Sequence, residues 1–216
     1  MNKRIFLLTA TVLLTQPVYA GTITEVESNS TVFTAQNIDG SFSTGVNDDI
    51  YNASQFDWEW SSIASLEGDG TYDYYSFTAL ANQNYIFDID YGMPNLDAEI
   101  GLWSIDGNIS DLLADQDDGC VENGVSFCSM VDNGSVHSYD PKFSWESSSA
   151  GLYVIGVARF STSANDSGFT GSAPVAGDDY TLQVSRDLAI DVPAPAGVML
   201  FALSLMGFVA TRKVKK

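Results

Sequence analysis

Tyr85-Ile86-Phe87-Asp88-Ile89-Asp90-Tyr91 decides the fold class. Tyr85, Phe87, Ile89 and Tyr91 recur at every second position, with Asp88 and Asp90 between them, so the segment reads as a strand with one apolar and one wet face. Outward from it the same two-residue period appears in Tyr74-Tyr75-Ser76-Phe77-Thr78, Ala98 to Ile105, Phe143-Ser144-Trp145, Leu152 to Phe160 and Tyr180 to Val184. Gly, Asn, Asp and Ser break these runs: Asp106-Gly107-Asn108 closes one as a turn, and Ser149-Ala150-Gly151 opens another. No stretch of the central region keeps a helical period. Half-buried antiparallel strands must cover their apolar faces, so the expectation is all-β, a single antiparallel β-sandwich of two packed sheets, with an up-and-down barrel as the alternative.

The chain has 216 residues with 28 Asp plus Glu against 9 Lys plus Arg, and 45% of it is apolar, enough for one domain with a core. Six bases sit at the ends: Lys3, Arg4, Arg212, Lys213, Lys215 and Lys216. Only Lys142, Arg159 and Arg186 face the 28 acids that lie between Glu25 and Asp191. Such a field repels nucleic-acid phosphates and anionic lipid headgroups, which excludes nucleic acid as a partner.

Residues 1–20 have a basic start, an apolar stretch from Ile5 to Leu14, and Val18-Tyr19-Ala20 with small residues where signal peptidase needs them, so they read as a secretory signal cut after Ala20. At the other end Pro193-Ala194-Pro195 precedes an apolar run from Ala196 to Ala210 and a basic tail of Arg212, Lys213, Lys215 and Lys216. Fifteen helical residues rise about 22 Å, short of a hydrocarbon core of about 30 Å. The basic tail would stay cytoplasmic and the acidic domain would face outward. Residues 21–190 are then the sandwich and 191–216 the carboxyl-terminal segment.

The Pro-x-Pro motif, short apolar helix and terminal basic cluster resemble the PEP-CTERM signal of Gram-negative bacteria, with Ala194 where that signal usually has Glu. The resemblance implies export across the inner membrane, transient anchoring through the carboxyl-terminal helix, and processing by the transpeptidase exosortase. A plain membrane-anchored surface protein is the alternative. Four further stretches resemble the bacterial pre-peptidase C-terminal (PPC) domain, a jelly-roll-like β-sandwich, over about residues 45 to 186: Asn47 to Ala53, Gly70 to Phe77, Leu96 to Asn108, and Ala150 to Val154 with Asp179 to Leu182. That resemblance implies a calcium site made of Asn47, Asp48, Asp73 and Asp69. The acids that normally stand two and four residues before the Asn are Gly45 and Ser43 here. Solvated loop carboxylates are the alternative.

Cys120 and Cys128 are an even pair, and in an exported protein they belong in a disulfide closing a short loop. The acids Asp97, Asp106, Asp111, Asp115, Asp117 and Asp118 offer hard oxygens without EF-hand spacing. Catalytic options are thin: His137 is the single histidine, Asp140 its neighbour, and Asp166-Ser167-Gly168 occurs once in a polar loop. No catalytic residue is therefore expected, although a carboxylate pair for a secreted glycosidase or peptidase stays open as the competing class. Trp103 and Trp145 lie in strands and read as core. Asp57-Trp58-Glu59-Trp60 puts Trp58 and Trp60 on one face between acids, where rings could stack on sugars while carboxylates accept their hydroxyls. The sequence therefore points to an exported, non-enzymatic envelope or matrix protein, acting by adhesion, scaffolding or exopolysaccharide binding.

Overall fold

The computed structural model describes residues 22–47, 58–65, 68–90, 96–119, 121–122, 125–126 and 139–188. The export signal, Asp48, Tyr91, Cys120, Cys128, His137, the Pro193-Ala194-Pro195 motif and the basic tail lie outside them. Among the described residues no helix is long and apolar enough to cross a membrane.

Fourteen strands and one 3-10 turn (Asp39–Ser41) make up this region. The strands are β1 (Ile23–Thr24), β2 (Gln36–Asn37), β3 (Trp58–Ser65), β4 (Asp73–Ala79), β5 (Asn84–Asp90), β6 (Ala98–Asp106) and β7 (Ile109–Gln116). They continue with β8 (Val121–Glu122), β9 (Val125–Ser126), β10 (Lys142–Glu146), β11 (Gly151–Arg159), β12 (Ser163–Asn165), β13 (Gly168–Thr170) and β14 (Tyr180–Asp187). Two five-stranded sheets stack face to face: sheet A runs β1-β3-β14-β5-β10, and sheet B runs β2-β4-β11-β6-β7. Every connection between consecutive long strands crosses from one sheet to the other, except the β6–β7 hairpin. This is the interleaved order of a jelly-roll sandwich.

The alternation in β5 does what its pattern requires. Tyr85, Phe87 and Ile89 join Ile63, Leu182 and Val184 of sheet A against Tyr75, Phe77, Ile100, Leu102, Tyr153 and Ile155 of sheet B. Each such side chain, fully buried, contributes roughly 1.5–3 kcal/mol of transfer free energy. Aromatic edges and faces knit the layer: Phe77 to Tyr85 at 4.9 Å, Phe77 to Phe87 at 5.6 Å, and Trp145 to Tyr153 at 4.7 Å between ring centroids.

Residues 22–43 seal one edge of both sheets. β1 adds parallel to β3 and β2 parallel to β4, and Ser43 bridges to Trp60 by hydrogen bonds of 3.0 and 2.9 Å. Asp39 then caps the end of β4, accepting from the Thr78 N–H at 2.7 Å and its hydroxyl at 2.9 Å. Strands covered this way offer no long free edge for pairing with another chain.

The outer face of sheet B carries a second apolar core. Tyr74, Trp103, Val154 and Ala158 are buried there beneath Phe169 of the β12–β13 hairpin and Val32 of the amino-terminal segment. Gly101 and Gly156 stand opposite each other on β6 and β11. A Cβ on Gly101 would lie 2.4 Å from the Trp103 ring, and one on Gly156 2.8 Å from Tyr74 and 2.9 Å from Phe169. The glycine pair is thus a trough in which these rings lie. Trp103 is core, as its strand position suggests, but in this outer layer rather than between the sheets. Trp145 is only partly buried, at the edge of the main core.

Candidate functional site

β3 has its inward register set by Ile63, so Trp58 and Trp60, at the opposite parity, stand on the outer face of sheet A. Both are half-buried. The sequence expectation of two tryptophans on one strand face holds, but the two differ in their surroundings. Trp60 is tied down, its indole N–H donating to the Gly45 carbonyl at 3.1 Å. Trp58 lines an open groove of about 390 Å³ with Asn84 and Ile86 of β5 and Ser144 and Glu146 of β10, together with Tyr85 and Trp145. The register explains the grouping: Ser144 lies opposite Ile86 and Glu146 opposite Asn84, while Asp187 of β14 lies opposite Trp58. Asn84 gives both its N–H, at 2.9 Å, and its side-chain amide, at 2.7 Å, to the Asp187 carboxylate. An indole face beside hydroxyl, amide and carboxylate oxygens can stack on a sugar ring and hydrogen-bond its hydroxyls.

Farther along the same outer face the surface is polar and closed. Ser62 donates to Gln183, whose amide donates to Asp90 at 3.2 Å, and Lys142 pairs with Asp88 at 2.9 Å. Asn47 donates to Ser62 at 3.4 Å on this face.

Of the residues named for calcium, Asn47, Asp69 and Asp73 are among the described residues, and Asn47 bonds to Ser62 on the outer face of sheet A. Asp73 points between the sheets, not toward Asn47, and accepts from the Tyr180 hydroxyl at 2.7 Å, while the Tyr75 and Tyr180 hydroxyls lie 2.8 Å apart. Asp73 and Asp69 lie near acids of the segment that follows β1. Glu25 lies close enough to Asp73, and Glu27 to Asp69, for the carboxyls to influence each other's titration. Burial first, and then Glu25, pushes the Asp73 carboxyl up to about 9. Burial likewise keeps the Tyr75 and Tyr180 hydroxyls protonated far above the usual range. Asp69 is held below its usual range, chiefly by the Thr71 hydroxyl and N–H, at 2.6 and 2.7 Å. Asn29 lies beside Glu25. Its backbone carbonyl accepts from the Tyr74 N–H at 3.1 Å and its side-chain amide donates to Glu25 at 3.2 Å, yet its Oδ1 is buried with no hydrogen-bond partner. These acids form two separate pairs, Glu25 with Asp73 and Glu27 with Asp69, next to an unengaged amide oxygen of the kind Ca²⁺ accepts.

A second acidic group sits at the far end of the β6–β7 hairpin, where Asp97, Asp117 and Asp118 bring carboxylate oxygens within 4.8 Å of one another. Asp106 and Asp111 lie toward the opposite end, paired with Ile109 and Ser104. Glu99, buried on the outer face of sheet B, is pushed up to about 7 by burial and then by Asp117 and Asp115. With 6% of its surface exposed it is out of reach of a polymeric substrate. The Asp166-Ser167-Gly168 stretch is the turn of the β12–β13 hairpin, where Asp166 accepts from the Leu112 N–H at 3.1 Å and Asn165 from the Ser167 N–H at 2.9 Å. Asp140 is buried.

No family model matches the chain, and no curated protein matches it. Among solved structures, PliG of Aeromonas hydrophila, a periplasmic inhibitor of g-type lysozyme, is similar at 13% identity with a TM-score of 0.31. The match covers 61% of this chain and 87% of that one. A superposition that loose transfers neither fold family nor function.

Proposed function

We propose that the chain is an exported, non-enzymatic sandwich that binds glycan on the outer face of sheet A. The observation that carries this reading is the groove in which the half-buried Trp58 faces Asn84, Ser144 and Glu146. Of the two tryptophans offered by the sequence, Trp58 is the stacking platform and Trp60 its structural neighbour, held by Gly45. The reading takes residues 1–20 as an export signal removed by signal peptidase. It takes the Pro193-Ala194-Pro195 segment, the apolar run and the basic tail as a PEP-CTERM-like signal handed to an exosortase, which leaves the domain at the envelope or in the extracellular polymer. Affinity electrophoresis through gels containing a panel of polysaccharides tests it. At least one polymer should retard the wild type and not Trp58→Ala; equal migration of the two proteins in every gel removes the groove from the function.

A second reading concerns the acids of the amino-terminal segment: Glu25 lies beside Asp73 and Asn29, Glu27 lies beside Asp69, and the Asn29 Oδ1 is buried without a hydrogen-bond partner. We propose that these residues, rather than Asn47 and Asp48, hold a calcium ion that fastens the amino-terminal segment to the start of β4. Calcium would supply charge neutralisation there, allowing Asp73 and Glu25 to stay ionised side by side. A ligand bound only by the folded state raises its melting temperature, by an amount that grows with the ratio of concentration to Kd. Melting temperature should rise with added calcium, fall with a chelator, and lose the response in a Glu25→Gln, Asp69→Asn double variant. A melting curve indifferent to calcium in the wild type ends this proposal.

A further inference from the structure

Building on the glycan reading, we infer that the Trp58 groove selects sugars that donate hydrogen bonds and carry no negative charge, and that it prefers amine-bearing glycans to uronate or sulfated ones. The charged groups at the groove are both acceptors: Glu146 lines it and Asp187 lies opposite Trp58. Asp187 engages the backbone N–H and one of the two side-chain N–H groups of Asn84, leaving its amide oxygen and one N–H for a ligand. The Glu146 carboxylate has no partner among the described residues, and the Ser144 hydroxyl likewise has none. The donors, the Trp58 indole N–H, the Ser144 hydroxyl and the second Asn84 amide hydrogen, are all uncharged.

The bases nearest the groove are already committed. Arg186 belongs to the inward parity of β14, paired with Glu59 at 2.9 Å and seated 3.8 Å above the Phe42 ring. Lys142, on the same strand as Ser144 and Glu146, is bound to Asp88. A carboxylate or sulfate on an incoming sugar would meet Glu146 and Asp187 with no free cation among the described residues to answer it. A protonated amine would meet the Glu146 carboxylate favourably, the Asp187 oxygens being taken up by Asn84. A unit charge pair about 4 Å apart in water is worth roughly a fivefold change in binding constant, and it fades as salt shortens the screening length below about 10 Å.

The test is affinity measurement by calorimetry, with glucosamine, N-acetylglucosamine and glucuronate oligomers of equal length as probes, at mildly acidic pH and at two salt concentrations. Expected at low salt is a preference of about fivefold for the amine oligomer over its acetylated form, with weaker binding still by the uronate. High salt should shrink both differences. Glu146→Gln, at an exposed position, should bring the amine-to-acetyl ratio close to one, and Asp106→Asn, at the distant β6–β7 turn, should keep the wild-type ratio. Uronate binding as tight as the amine oligomer, or a ratio unmoved by Glu146→Gln, overturns the charge selection while Trp58-dependent binding stands. If no oligomer binds, or if binding survives Trp58→Ala, the glycan reading fails and the selection with it.

Discussion

The two outer faces of the sandwich are built from strands of the same alternating type and come to opposite ends. On sheet B the outward residues are Tyr74, Trp103, Val154 and Ala158 around a glycine trough, and a hairpin folds back to cover them. On sheet A they are Trp58, Trp60, Ser62, Asp88, Asp90 and Gln183, partly tied by polar contacts and open at the Trp58 end. Covering an outward face takes a segment with an apolar residue at the right position, and Phe169 is that residue for sheet B. Trp103 also shows what sealing demands of a polar handle: its indole N–H is satisfied by the Asn165 carbonyl of the covering hairpin, at 2.8 Å. The Trp58 indole has no such partner among the described residues. One tryptophan is therefore an internal strut and the other a surface.

Truncating the strut should have the largest effect. Trp103→Ala removes a fully buried ring, leaves a void between Gly101 and Phe169, and orphans the Asn165 carbonyl. The expected loss is about 3–5 kcal/mol, or roughly 10 °C or more in melting temperature for a domain of this size. A Trp103→Ala protein as stable as Trp58→Ala would erase the distinction between the faces.

Filling the trough should cost less. Gly156→Ala places a methyl 2.8 Å from Tyr74 and 2.9 Å from Phe169, so the hairpin must lift or the rings must move. Overpacking of this kind costs about 1–3 kcal/mol. Denaturant titration should show a lowered midpoint, and near-ultraviolet circular dichroism should change as the aromatic cluster shifts. An unchanged midpoint would mean that the second core yields freely and is not close-packed.

The sealed face also sets a pH dependence. Glu99 is buried there with its pKa raised to about 7, so between its ordinary value of 4.5 and that point the folded state holds more of the proton than the unfolded state does. Stability from this group is therefore full below about 4.5 and is lost as pH rises through about 7. The loss should be roughly 1–2 kcal/mol after allowance for screening by nearby water. Glu99→Gln should flatten the melting temperature between about pH 5 and 8 and raise it at the upper end. Identical profiles for the two proteins would mean that the carboxyl is solvated in solution.

What the sequence discloses follows the same division. The inward faces were legible because a two-residue period bounded by turns has one simple solution, and the strands around Phe77, Phe87, Leu102 and Ile155 lie where the alternation puts them. The second core was not legible: Phe169 sits in a three-residue strand inside a Ser- and Asn-rich stretch, with no period to reveal it. β7 was hidden for a related reason, since Ser110, Asp111, Asp115 and Gln116 give an edge strand the composition of a loop. The amino-terminal acids carry a signal of their own. Glu25-Val26-Glu27-Ser28-Asn29 puts acids four and two residues before an Asn, the spacing missing in front of Asn47. Only the pairing of β1 with β3, and of Asn29 with Tyr74, brings that segment to Asp73.

The smallest effect on stability is expected where the effect on binding is largest. Trp58→Ala removes a half-buried ring that has no hydrogen-bond partner among the described residues and leaves solvent, not a cavity, in its place. The stability cost should be about 1 kcal/mol or less, within reach of an ordinary surface substitution. Trp60→Ala should cost somewhat more, because the ring carries the bond to Gly45 and lies beside the Ser43 bridge that anchors the end of the amino-terminal segment. Thermal melts and glycan retention measured on the same two proteins separate the roles. A surface ring loses retention and keeps its melting temperature, whereas a strut loses its melting temperature first. If Trp58→Ala melted as low as Trp103→Ala, the outer face of sheet A would be as sealed as that of sheet B, and the groove could not admit a ligand in solution.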